Sequence, residues 1–340
     1  MNGKKWMTVT LLSSVLVACG GGGGGGTTTG SGTASSGGVS FSSSMAARLG
    51  SKAYTESQGN TELAPISTTN AAQFIFLFLF SIYESDLKAL GYVYRPSEAG
   101  LPPDDISSDA VSDDIVADFE KINNKQSSQE RSAYDNTGSI ACDISGSMFI
   151  SGTIDTNTSR GTRKVSYSDC VNEPGLFRKQ GVVTIDVAAR DGTTGTYTDY
   201  TVNFQGLSVS TNANYFVYTG LQHVTRGLIN GDWIKVLVET DLKRDDQAGY
   251  IYLDSTRNDI DLRGRSVSGQ LCHGNYGCVN VSTTVPYNVD YASGEINMVG
   301  ASNSVLQLYY NKPTGELFAH IDGNGSGVWG NPVRVSDLFN

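Results

Sequence analysis

The chain has 340 residues, and its 24 Lys and Arg against 34 Asp and Glu give a formal charge of −10. Such a charge repels phosphate backbones and argues against nucleic acid as a partner. With 39% hydrophobic residues, and 40 glycines against eight prolines, the composition is neither collagen-like nor that of a wholly disordered chain; it is globular with a Gly-rich attachment.

Residues 1–19 read MNGKKWMTVTLLSSVLVAC, with Lys4 and Lys5 as a basic start and Met7 to Val17 as an apolar stretch of signal-peptide length. That stretch is too short to cross a bilayer as a helix. It closes on Leu16-Val17-Ala18-Cys19, which resembles the lipobox of bacterial lipoprotein precursors. The resemblance implies that 1–18 are a cleaved signal peptide and that Cys19 becomes the acylated first residue, carrying palmitate-type chains. Two or more such chains hold a protein stably at a membrane. Gly20 follows the Cys where an Asp commonly retains lipoproteins at the inner membrane, so the resemblance implies an outer-membrane anchor. It leaves open whether the protein faces the periplasm or the outside.

Gly20 to Ser44 holds 11 Gly, seven Ser and four Thr, so 19–44 reads as the lipidated Cys and a flexible tether. Its seven consecutive glycines match no phosphate-binding spacing.

Residues 45–138 read as a helical and irregular region packing on a β domain at 139–340. Asn70 stands where a helix cap belongs, Gln73 where a capping box wants it, and Gly91 where a helix stops, which predicts one long apolar helix over Ala71 to Leu90. Its centre, Phe74 to Phe80, is apolar on every side and implies burial all round or contact with something greasy; a buried strand is the competing reading. A short amphipathic helix is predicted over Asp113 to Asn123, with Ile115, Val116, Phe119 and Ile122 on one side. The seven acids between Asp104 and Glu120 read as a solvated face rather than a cation site.

From 139 to 340 the texture is mainly β: short runs rich in Val, Ile, Thr and Tyr, punctuated by Gly, Asn, Asp and Ser. Strands are predicted at Met148 to Asp155, Arg163 to Ser168, Val182 to Ala189, Tyr197 to Leu207, Asn214 to Tyr218, Ile234 to Thr240, Tyr250 to Leu253, Ile260 to Leu262, Val279 to Thr284, Glu295 to Val299, Val305 to Tyr310 and Leu317 to Ile321. Connections this short demand antiparallel pairing. So many strands predict a large antiparallel sandwich, a barrel or an unclosed half-barrel, with the long helix on its concave side. Ser145-Gly146, Ser151-Gly152, Ser268-Gly269 and Ser293-Gly294 read as turn punctuation beside strands.

Four cysteines remain once Cys19 is set aside, and an even number in an exported protein predicts two disulfides. Three connectivities are possible; Cys142–Cys170 and Cys272–Cys278 are preferred because each brackets a hairpin. A Cys272, His273, Cys278 metal site does not fit zinc spacing. Asp322, Asn324 and Ser326, with Gly327 after them, match the first half of a calcium loop, whose closing Glu is missing; the segment reads as that cation site or as a Gly/Asn turn. The three histidines, His223, His273 and His320, fall in no catalytic motif, and no hydrolase elbow or P-loop is present, which argues against an enzyme. Tyr215/Tyr218, Tyr250/Tyr252 and Tyr309/Tyr310 suit either strand packing or a ligand-gripping surface.

The stretches Ser268-Gly269, Val279-Asn280-Val281-Ser282-Thr283, Ser293-Gly294-Glu295-Ile296 with Gly300, and Asp322-Gly323-Asn324-Gly325 resemble the β-rich ends of uncharacterised outer-membrane lipoproteins of Gram-negative bacteria. The resemblance implies a fold and a location. The expected function is a binding or structural module of the cell envelope, meeting an envelope protein, polysaccharide or lipid. A carrier enclosing an apolar ligand in a curved sheet is the alternative, and a carbohydrate-active enzyme the third.

Overall fold

A computed structural model describes residues 61–82, 111–119 and 138–338, apart from short breaks at 156–157, 173–176, 211–214, 230, 247–250, 289–291 and 312. The leader, Cys19 and the tether lie outside the described residues.

The protein is built on one 14-stranded sheet in which every strand pairs antiparallel with its neighbour in sequence. The strands are β1 (Gly138–Ala141), β2 (Ser145–Ile154), β3 (Gly161–Val171), β4 (Arg178–Arg190), β5 (Tyr197–Ser210), β6 (Tyr215–Ile229), β7 (Asp232–Asp246), β8 (Ile251–Asp261), β9 (Gly264–His273), β10 (Gly277–Asn288), β11 (Ser293–Val299), β12 (Val305–Asn311), β13 (Glu316–Asp322) and β14 (Val333–Arg334). The sheet is open. It is one sheet rather than the two of a sandwich, and it is not a closed barrel, because among the described residues β14 does not pair with β1. Both edges are short, four residues in β1 and two in β14, which leaves little unpaired backbone for edge-to-edge association.

Register carries one face across the sheet. Val202, Gln222, Thr240, Thr256, Gly269, Val281, Met298 and Leu306 oppose one another in turn from β5 to β12. The two ends of this row belong to two separate hydrophobic cores. Its middle is polar: Gln222, Thr240 and Thr256 are buried, and Gln222 Nε2 donates to Thr240 Oγ1 at 3.4 Å. A polar seam under β6–β8 therefore divides the covered face in two.

Each core is covered by a helix. Helix α1 (Ala71–Ile82) lies in the core of β9–β13, and Phe74, Ile75, Phe76, Leu77, Phe78 and Leu79 are all buried. Phe78 meets Tyr287 edge-on at 6.2 Å. The chain before α1 is stitched to the same half: Ala64 N–H donates to Cys278 O at 2.8 Å and Ile66 N–H to Ser304 Oγ at 2.9 Å. Helix α2 (111–119) lies in the other core through Val111, Ile115, Val116 and Phe119.

Several expectations are corrected. The long apolar helix is not supported: α1 has 12 residues, and positions 83–90 lie outside the described residues. Asn70 stands at the cap position, its carbonyl accepting from Phe74 N–H at 3.4 Å, but its side chain turns back: Asn70 Oδ1 accepts from Ser67 N–H at 2.8 Å and its Nδ2 donates to Pro65 O at 2.9 Å, locking the preceding turn. The short helix is seen over 111–119; positions 120–123 lie outside the described residues. The two short strands expected around Tyr250 to Leu262 are one, β8, and β9 succeeds it where none was expected. The Ser-Gly pairs are not beside strands but within β2, β9 and β11. At Gly269, with φ of +143°, a Cβ would sit 2.2 Å from Ser255 O, so glycine lets two strands approach rather than turn the chain.

Candidate functional site

Opposite the covered face, β11–β13 present a solvent-facing surface unlike that of β2 and β3. On β2 and β3 the equivalent positions read Ser147, Phe149, Ser151 and Thr153 against Ser168, Ser166, Lys164 and Thr162, a Ser/Thr surface with one ring. On β11–β13 cross-strand register sets Glu295 beside Tyr309 and Tyr309 beside Phe318, and in the next row Asn297 beside Gln307 and Gln307 beside His320. The Tyr309 and Phe318 rings stack, 6.1 Å apart and 22° from parallel. His320 lies 4.8 Å from Trp329, which is 37% exposed.

Trp329 reaches His320 because the 323–332 connection is pinned. Asp322 Oδ2 accepts from Gly327 N–H at 2.7 Å, and its Oδ1 from Asn324 and Ser326 at 3.4 and 3.3 Å. His320 Nε2–H donates to Gly330 O at 2.6 Å, and Gly330 N–H to Ile321 O at 2.9 Å. Desolvation pushes the Asp322 carboxyl up, but the amides of Gly327, Asn324 and Ser326 outweigh it and hold the group below the usual range. Asp322, Asn324 and Ser326 thus form a turn in which amide hydrogens occupy the Asp322 carboxylate where a calcium loop would place the cation. Among the described residues no group of three His, Cys, Asp or Glu is arranged to hold a metal ion.

A second polar array crosses β5–β8. His223, Glu239 and Arg257 oppose one another in register on three adjacent strands. His223 Nδ1 meets Glu239 Oε2 at 3.0 Å, its Nε2 meets Asp199 Oδ1 at 2.9 Å, and Arg257 Nη1 donates to Glu239 Oε1 at 2.9 Å. Burial lowers the affinity of His223 for its proton, but the bonds to Asp199 and Glu239 and the charge of both outweigh it, so its pKa is raised. A carboxylate at each nitrogen favours the protonated ring, which then donates to both, and the array ties β5, β6, β7 and β8 together. Asp241, two residues along β7, is pushed up to about 6 by burial.

A third array fixes α2. Lys179 on β4, 1% exposed, pairs with Asp114 and Asp118, and Asp118 also accepts from Tyr167 Oη–H at 3.1 Å and from the Asn172 amide. Burial, then the Asp118 and Asp114 charges, push the Tyr167 phenol well above its usual range. Asp113 pairs with Lys235 at 2.9 Å. The acidic run is therefore a docking face within 111–119, not the solvated face expected: its three aspartates meet bases on the sheet.

The preferred disulfides are present, Cys142–Cys170 and Cys272–Cys278, the second joining directly opposed residues of β9 and β10. Tyr218 and Tyr310 are core residues, while Tyr215 is 41% exposed; Tyr250 and the Tyr252 side chain lie outside the described residues. The His273 and Tyr276 rings meet tilted, 4.8 Å apart, beside the second disulfide. Sequence reasoning singled out Tyr309 of the first array but not its neighbours Asn297, Gln307, Phe318 and Trp329, and it missed the other two arrays. No helix among the described residues is long and apolar enough to cross a membrane, which says nothing of strands. No family model, no curated protein and no solved structure matches this chain.

Proposed function

We propose that the protein is a lipid-anchored outer-membrane component, held through acylated Cys19, that serves the cell envelope as a binding module and engages its partner on its surface. The lipobox at Leu16 to Cys19 supports the anchor. The observation that carries the surface reading is α1: Phe74 to Leu79 are all buried, so the apolar face is already filled. A carrier of an apolar ligand needs that face for its cargo.

The experiment is labelling with radioactive palmitate and membrane fractionation, native chain against Cys19→Ser. Label in the outer-membrane fraction that disappears in Cys19→Ser supports the reading; an unlabelled native chain overturns the anchor. Organic extraction of the purified unlipidated protein is expected to release no lipid, and a stoichiometric lipid would restore the carrier.

A further inference from the structure

We infer that the ring-and-amide surface of β11–β13, completed by Trp329, is a binding site for a neutral glycan; the inference rests on the surface-binding reading above. Its centre is made of the carboxamides of Asn297 and Gln307, neighbours in register. Each carries both donors and acceptors, as sugar hydroxyls do. Asn297 Nδ2 already donates to Thr284 Oγ1 at 3.0 Å, which fixes its orientation. Around the amides stand Tyr309, Phe318, His320 and Trp329, aromatic surfaces suited to the C–H faces of sugar rings.

Charge narrows the occupant. Glu316 and Arg334 neutralise each other at 3.4 Å, and the chain carries −10 overall, so an anionic polymer is repelled. A lipid surface wants contiguous apolar area with a basic rim, not amides at the centre. An extended peptide adds to a sheet edge, whereas this is a sheet face. The Asp322 turn supplies preorganisation: because Gly327 and Gly330 are bonded back to Asp322 and to His320 and Ile321, Trp329 is held in place before ligand arrives, which lowers the entropic cost of binding.

The test uses the full lipidated chain, purified in detergent, against dextran, a β-1,3-glucan and a galactomannan, with chondroitin sulfate as the anionic comparison. Affinity electrophoresis and tryptophan fluorescence are the readouts. At least one neutral polymer is expected to retard the native protein, Trp329→Ala and Gln307→Ala to weaken binding tenfold or more, and Phe149→Ala to leave it unchanged. Circular dichroism identifies any variant that has lost its fold. Failure of all three neutral polymers, preference for the sulfated one, or full binding by folded Trp329→Ala overturns the inference. A chain that takes palmitate but binds no neutral glycan overturns this site and leaves the anchor standing; one that binds glycan without taking palmitate does the reverse.

Discussion

The ammonium of Lys179 on β4 is bonded to the carboxylate of Asp118 on α2, and the two side chains are 1% and 2% exposed. A pair this deep gains little over a well-packed apolar pair, but breaking it strands a charge out of water. Lys179→Met is therefore expected to cost about 3–5 kcal/mol, read as a lowered urea midpoint. The double variant Lys179→Met with Asp118→Leu is expected to recover part of that loss. Equal destabilisation in single and double variants would show that the cost does not come from the stranded Asp118 charge.

The two disulfides are expected to contribute unequally. By loop entropy, the bridge between Cys142 and Cys170, separated by 28 residues, contributes about 3–4 kcal/mol, and the six-residue Cys272–Cys278 bridge about 2 kcal/mol. Thermal melts of Cys142→Ala/Cys170→Ala and Cys272→Ala/Cys278→Ala, each with its partner bridge intact, check the order.

Two groups, His223 and Asp241, each withdraw stability as pH rises. The folded pKa of His223 lies above its ordinary value of 6.5, so its contribution is complete below that value and lost as pH rises through the folded one. Asp241 has the same sign: raised from 3.8 to about 6, it is the native state that holds the extra proton, so stability falls across that interval and stays lower above it. The shift corresponds to about 3 kcal/mol. Urea titrations at pH 4, 6 and 8 are expected to show Asp241→Asn stabilised at pH 8 and unchanged at pH 4. His223→Gln is expected to flatten the profile above neutrality, with Asp199, Glu239 and Arg257 left to pair among themselves.

Asp322→Ala is expected to loosen the 323–332 connection without unfolding the sheet, moving Trp329 emission toward that of a solvated indole. The native carboxyl is depressed, so its grip is present above the ordinary value of 3.8 and lost only as pH falls through its folded pKa. The part of the emission set by the Asp322 carboxylate should therefore change in acid. Millimolar calcium is expected to leave it unmoved, because the amide hydrogens already satisfy the carboxylate; a calcium-dependent shift would restore the cation reading.

Strand texture is legible in the sequence wherever one side of a strand meets a core. Val305 to Tyr310 and Leu317 to Ile321 alternate, and the alternation places them within a residue or so of β12 and β13. β8 reads as two pieces because Asp254, Thr256 and Asn258 occupy its covered side, where the polar seam runs and no alternation of apolar residues exists. β9 is hidden by Gly269, whose close approach to Ser255 looks like a turn in one dimension. Both disulfides are legible because each brackets a hairpin. The charged arrays are not: His223, Glu239 and Arg257 come together only through the register of three long strands, a quantity no local pattern encodes.

The placement of α1 imposes a schedule on the nascent chain. Hairpins β1 to β7 can zip as they emerge, and α2 precedes the strands it covers only briefly. The Phe-rich helix is among the first folded segments to be made, yet its partners Ile296, Leu306 and Leu308 are among the last. Until β9 to β12 arrive, six consecutive apolar side chains lack the sheet they pack on. A fragment that stops before β9 is therefore expected to aggregate through α1, while the same fragment lacking α1 stays dispersed.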